Sequence, residues 1–411
     1  MRKHVLLSIL IVFTFVCFTF AAVDIEFWHY WDGTNGEKLE ALVSQFNESQ
    51  SDVHVKAVFV PSSSIVSKIQ TSALSGRTPA LAISDIINIS LIADTGKLVD
   101  LHPLIKADDY NVDDFYSELL TYGTKGDTLV SLPVSSSNLG LFWNKDLFRE
   151  AGLDPETPPT TWEEIVEFSQ IIKEKTGKDG FELYTGGGEG TTWQWQVFLW
   201  GANGEFLSKA DDYRTAAFNS EAGRQALQFW CDLIYNYNVS KIAPWGLFGR
   251  GEAAMVMDGS WMVQFFPNQV SFELGSAVFP HPANGNFATN MGGEQIFLFN
   301  KSDEETAAAW EFVKWFTQTS VQVEWDKATG FIPVKKSVSE DNGYVSYIKN
   351  TRRLLLPFVE AEKYAQARPP VNEYPEVSDA FAREILKAIH NRVSVEEALG
   401  AAETKVNDIL Q

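Results

Sequence analysis

Apolar and polar positions alternate at Val23, Ile25 and Phe27, and again at Val53, Val55, Ala57 and Phe59. A period of two predicts strands with one buried face. Between them Leu39, Leu42, Val43 and Phe46 recur at helical spacing, which predicts an amphipathic helix. A further helical stretch ends near Pro79, and the apolar run 81–83 predicts a third strand. Strand–helix–strand order implies right-handed crossovers and a parallel sheet. The expected fold class is α/β. In such sheets ligands sit in loops beyond the carboxyl ends of the strands, here residues 28–36, 61–64 and 84–88.

Later segments read as more helical. Thr161 with Glu164, Ser302 with Glu305, and Ser394 with Glu397 each fit a capping box ahead of an apolar stretch. Ala309, Phe312, Val313 and Phe316 form one expected buried face; Phe381, Ile385 and Ala388 form another. The run TGGGEGTT at 185–192 reads as a flexible loop. It lacks the GK[ST] ending of a phosphate-cradling loop.

Arg2, Lys3 and His4 precede an apolar run over 5–20, and small residues follow at Thr19, Ala21 and Ala22. That layout predicts a secretory signal peptide over 1–22, cleaved near Ala21 or Ala22. Val16 precedes Cys17, which does not suit a lipoprotein signal. Cleavage would leave Cys231 as the single cysteine, so no intramolecular disulfide is expected. The expected location is periplasmic or otherwise extracytoplasmic.

The chain carries 33 Lys+Arg against 54 Asp+Glu, a net charge of −21. A phosphate backbone would be repelled, so nucleic acid is not an expected partner. Anionic membrane surfaces are disfavoured for the same reason. The histidines at 4, 29, 54, 102, 281 and 390 show neither HxH nor HExxH spacing, so no zinc site is expected. The GxSxG elbow is absent too. No cofactor and no metal are expected. What stands out is 13 tryptophans. Trp28, Trp31, Trp143, Trp193, Trp195 and Trp261 fall where loops or loop–element junctions are expected, whereas Trp230, Trp310 and Trp315 sit in helical patterns and read as core. Flat apolar rings beside Asp, Asn and Ser suit a hydroxyl-rich ligand.

Several stretches resemble the extracellular solute-binding proteins of family 1, the maltose-binding and glycerol-phosphate-binding group that serves ABC importers. They include FWHYWDGTNG at 27–36, SGRTPAL at 75–81, LPVSSSNLGLFWNKDLFREAGLDPETPPTTWEE at 132–164, FGRGEAAMVMDGSW at 248–261, MGGEQIFLF at 291–299 and ATGFIPVKKS at 328–337. The resemblance implies a two-lobed periplasmic binding protein fold with an interlobe cleft and several hinge crossovers. Lobe 1 is expected over 23–134 plus 286–335 and lobe 2 over 139–281 plus 336–411. Crossovers are expected near 134–138, 279–287 and 333–338. The resemblance implies hinge closure on the ligand, no catalysis, delivery to a membrane permease, and a monomer.

By position, the resemblance places Tyr30, Trp31 and Asp32 in the first cleft loop, and Ser62 with Ser63 in the second. Ser84 and Asp85 fall in the third, and Ser136, Ser137 and Asn138 at the first crossover. Trp193, Ser260 and Trp261 belong to the second lobe. Gly292, Gly293 and Glu294 form a loop whose backbone N–H groups could reach the ligand. Phe331 stands where several relatives use Tyr, and Arg368 near an anion-contacting Arg of the glycerol-phosphate binders. A Tyr near Ser62 and a Glu near Ile86, features of that type, are missing. Asp32, Asp85 and Glu294 would repel an anion unless Arg368 or Arg250 intervened. They would accept hydrogen bonds from a neutral polyhydroxyl ligand. The expected ligand is therefore a neutral di- or oligosaccharide, with glycerol-3-phosphate or a glycerophosphodiester as the alternative. A secreted hydrolase with a carboxylate pair is the remaining reading.

Overall fold

A computed structural model describes residues 22–411. The expected signal peptide, apart from Ala22, lies outside the described residues. β1 (Val23–His29) pairs in parallel with β2 (Val53–Phe59), Val23 opposite Val53, and on its other side with β3 (Leu81–Asp85). The helices Gly33–Ser49 and Ser62–Ser75 supply the crossovers. A short hairpin, β4 (Thr124–Lys125) and β5 (Thr128–Leu129), precedes β6 (Leu132–Pro133).

The chain then passes to a second sheet. It contains β7 (Leu139–Asn144), β8 (Asp179–Glu182), β9 (Ala253–Gly259) and β10 (Leu274–Ala277), in the order β10-β7-β9-β8. Every residue of β7 and β9 is buried. Helices cover both faces of the sheet, which is why these strands read as near-continuous apolar runs. β11 (Thr289–Met291) leads back, β12 (Glu294–Leu298) inserts between β3 and β6, and β13 (Ala365–Ala367) pairs in parallel with β11. The first sheet thus runs β2-β1-β3-β12-β6. It is mixed rather than all parallel, because β12 enters from the far lobe and runs antiparallel to both neighbours.

Each sheet has its own core. Phe27, Leu39, Ile83, Phe312, Phe316 and Trp325 pack in the first lobe. Trp195, Phe198, Trp230 and Phe381 pack in the second. The faces expected at Ala309–Phe316 and Phe381–Ala388 are buried. Thr161 with Glu164 and Ser394 with Glu397 close reciprocal capping boxes. Ser302 accepts the Glu305 N–H.

Three readings need correction. Residues 188–192 are not loop: Gly187 and Gly188 have positive φ, and a helix runs from Gly188 to Gly201. Trp28, Trp143, Trp193 and Trp195 are not in loops: Trp28 is in β1, Trp143 in β7, and the other two in that helix. The crossovers also shift. Residues 281–286 still bind the second lobe, through His281 N–H to Thr160 O (3.2 Å) and Asn286 N–H to Gly201 O (3.0 Å). The transit itself runs through β11. The short helix Lys336–Ser339 remains on the first lobe, tied by Ser337 to Asp114 and by Tyr116 to Ser339. Among the described residues no helix is long and apolar enough to cross a membrane.

Candidate ligand cleft

The carboxyl ends of β1 and β3 point at the gap between the lobes. β1 ends at His29, so the expected long loop contracts to Tyr30, Trp31 and Asp32 before the Gly33–Ser49 helix. Ser62 opens the next helix, and Ser84 and Asp85 close β3. Glu294 begins β12 opposite Asp85. From the second lobe come Glu189 and Trp193, one turn apart on the Gly188–Gly201 helix, and Trp261 just after β9. Together with Ser137, Gly292, Gly293, Phe331 and Arg368 they line a cavity of about 500 Å³. That volume falls within the roughly 300–1,000 Å³ of small-molecule sites.

Of the residues placed in the cleft by position, all but Ser63, Ser136, Asn138 and Ser260 line this cavity. Asn138 is fully buried and donates to Phe358 O and Glu362 Oε2, both at 2.9 Å. These two bonds fasten the crossover. Arg250 also lies elsewhere, paired with Glu252. Ser63 and Ser260 are not among the lining residues. The Gly292 N–H is committed to Ser137 O at 2.7 Å, so it does not reach a ligand. Gly293 has φ +137, and a Cβ there would meet Ser135 O at 2.2 Å, so only glycine fits.

The aromatic walls differ between lobes. Trp31 is buried against Trp325, with ring centroids 4.7 Å apart, and stands 6.4 Å from Phe331. Trp193 and Trp261 stack at 5.6 Å with planes 10° apart. That is direct aromatic contact, so the pair forms one platform rather than two jaws. Trp261 packs on the bare Gly259, whose missing Cβ would meet the indole at 2.1 Å.

The electrostatics centre on Arg368, which is 1 % exposed. Its guanidinium donates to Asp85 Oδ1 and Glu189 Oε1, each at 2.8 Å. One carboxylate belongs to each lobe. The guanidinium also lies 5.6 Å from the Trp193 ring centre. Glu189 further accepts from Tyr374 and Ser378. Burial raises the Glu189 carboxyl, and Arg368 opposes that rise. Glu294 accepts from Tyr30 at 3.1 Å and from Ser135. Burial, with the Asp85 charge beside it, pushes its carboxyl up to about 7. Arg368 is thus the one cation among the residues lining the cavity, beside Asp32, Asp85, Glu189 and Glu294, and it is already paired with two of them.

Glu189, Asn35, Asn88, Ile65 and Phe265 were missed as lining residues. Glu189 was within reach of the sequence. Extending the helical period upstream from Trp193 places it one turn earlier on the same face.

Two α/β lobes joined by repeated crossings, with a ligand-sized cleft at the strand ends, define a two-lobed binding protein. A family model described as bacterial extracellular solute-binding protein matches residues 30–323. The chain belongs to this family, the ligand-capturing components of ABC importers, and is a binding protein, not an enzyme. The sn-glycerol-3-phosphate-binding periplasmic protein UgpB of Agrobacterium fabrum is 27% identical over 81% of this chain and 79% of its own length. UgpB of Rhizobium meliloti is 26% identical over 98% and 97%. Among solved structures, the cyclic alpha-maltosyl-1,6-maltose binding protein from Arthrobacter globiformis is 45% identical. It covers 95% of this chain and 99% of its own, with a TM-score of 0.86.

Proposed function

We propose that the cleft holds a neutral carbohydrate of two or more sugar units and passes it to a membrane permease. One observation carries this reading: Arg368, the cation of the cleft, is already bound by Asp85 and Glu189. A phosphate would have to displace a carboxylate and then face Asp32 and Glu294. Sugar hydroxyls instead donate to those carboxylates, while the Trp193–Trp261 platform offers an apolar face to a sugar ring. The structure that is 45% identical is that of a cyclic alpha-maltosyl-1,6-maltose binding protein, which favours the same class. Relatives named for glycerol-3-phosphate support a second reading, a phosphate ester held by Arg368 after the carboxylates withdraw.

Ligand binding across both lobes shifts an open–closed equilibrium towards the closed form. The mature chain acts as a monomer in the periplasm after removal of residues 1–22. Residues 23–134 form most of its first lobe and 139–281 most of its second, with the return crossing through β11 and the Lys336–Ser339 helix still on the first lobe, and no nucleic acid takes part. A thermal-shift screen of residues 23–411 tests the ligand class, because a ligand of the native state raises the melting temperature by mass action. Stabilisation by di- or oligosaccharides is expected. Stabilisation by glycerol phosphates alone overturns the neutral reading.

A further inference from the structure

The second lobe carries another cavity, of about 310 Å³, on the far side of the Met262–Gln269 helix from the cleft. That helix is a shared wall. Trp261 and Phe265, four apart, line the cleft, and Met262, Phe266 and Gln269 line the second cavity. This follows from helical periodicity. The floor comes from the sheet: Glu182 on β8 stands beside Val256 on β9, and Asp258 lies two residues on, on the same face.

The cavity is built rather than incidental. Glu182 accepts the N–H groups of Gly246, Leu247 and Phe248 at 2.6, 2.9 and 2.7 Å. It thereby fixes the loop that carries Trp245, Phe248 and Arg250. Phe248 packs edge-on against Phe266 at 5.1 Å. Both oxygens of Glu182 are thus occupied. Asp258 differs. It is 7 % exposed, and its Oδ1 accepts the N–H of its neighbour Gly259 at 2.7 Å. Its other oxygen has no protein partner among the described residues.

We infer that this cavity is a second binding site, for a small organic ammonium ion with a flat apolar body. A buried carboxylate with a free oxygen asks for a donor, and a cationic donor satisfies it best. Trp245, Phe248 and Phe266 present aromatic surface, which favours an organic cation. Arg250 at the rim is paired with Glu252, so it leaves the local charge negative. A hard metal ion takes six or more oxygens, and only one carboxylate oxygen is open here.

The inference does not depend on what fills the cleft, and calorimetry tests it directly. The probes are 2-phenylethylammonium and its neutral counterpart 2-phenylethanol, titrated into the mature protein. Binding of the ammonium with at least about tenfold preference over the alcohol is expected. Asp258→Asn should lower ammonium affinity at least tenfold and leave thermal stabilisation by the cleft saccharide unchanged. Trp245→Ala, at a partly exposed position, should also weaken the ammonium and serves if the first variant fails to fold. Equal binding of the alcohol, indifference to both variants, or no binding at millimolar probe overturns the inference. So does displacement of the ammonium by the cleft saccharide, because the probe would then sit in the cleft.

Discussion

Glu189 and Arg368 meet at 2.8 Å although 179 positions separate them. The contact joins the start of a helix in the second lobe to the segment after β13, and the same guanidinium continues to Asp85 in the first lobe. One side chain therefore serves both the charge balance in the cleft and the contact between the lobes. Arg368→Ala should destabilise the protein by about 2 kcal/mol. That is less than the roughly 3–5 of a fully buried pair, because Asp85 and Glu189 keep 36% and 31% of their side-chain surface exposed. Denaturant unfolding of the ligand-free protein measures it. Saccharide affinity should fall less than tenfold, whereas a phosphate ligand would be lost.

The indole platform should dominate affinity. Trp193→Ala and Trp261→Ala should each cost about 1–3 kcal/mol of binding, the range for an aromatic anchor. Gly259→Ala should weaken binding in the same direction, because the new Cβ forces the Trp261 ring off its seat. Titration calorimetry of the three variants with the saccharide found in the screen checks this. Wild-type affinity in Gly259→Ala would show that the indole yields without loss.

Glu294 should make both stability and binding depend on pH. Its carboxyl is raised to about 7 in the folded protein, above the value near 4.3 of an unfolded chain. The native state therefore holds the proton more tightly. The stabilisation is complete below the unfolded value and is lost as pH rises through about 7. Glu294→Gln should flatten that part of the stability profile between pH 4 and pH 7. Sugar hydroxyls donate to the ionised form, so binding at neutral pH should release protons. Calorimetry in two buffers of different ionisation enthalpy reads the release.

Asn138→Ala should lower stability by about 1–3 kcal/mol, because two hydrogen bonds at the crossover are lost. The Glu362 carboxyl, already pushed up to about 7 by burial, loses a donor and should rise further. The ligand's contacts stay intact, so any change in affinity reports the open–closed equilibrium alone. Comparing melting temperatures with and without saccharide separates the two effects.

Much of the fold was legible because its signals are local. The alternation in β1 and β2 and the Leu39–Phe46 face state their partners through one-sided burial, and the Thr161 and Ser394 caps are short-range chemistry. The antiparallel entry of β12 is not local. Nothing within Glu294–Leu298 encodes that its neighbours are β3 and β6. The Gly-rich start of the Gly188–Gly201 helix misled because its first turn is held by tertiary contacts, such as Glu189 accepting from Ser378 and Arg368, and not by propensity. Tyr30, Trp31, Asp32 and Trp193 reached the cleft by position. Asn138 shared that positional logic, but its amide turns to Phe358. Glu189 carried no distinguishing mark among 54 acidic residues until its helix was drawn.

The stacked pair in the cleft has an optical meaning. Two indoles held nearly parallel at 5.6 Å have transition dipoles close enough to couple, so their dichroism depends on their mutual orientation. Any event that tilts Trp261 against Trp193 changes that signal. The protein thus carries an intrinsic, label-free readout at the place where a captured molecule would rest.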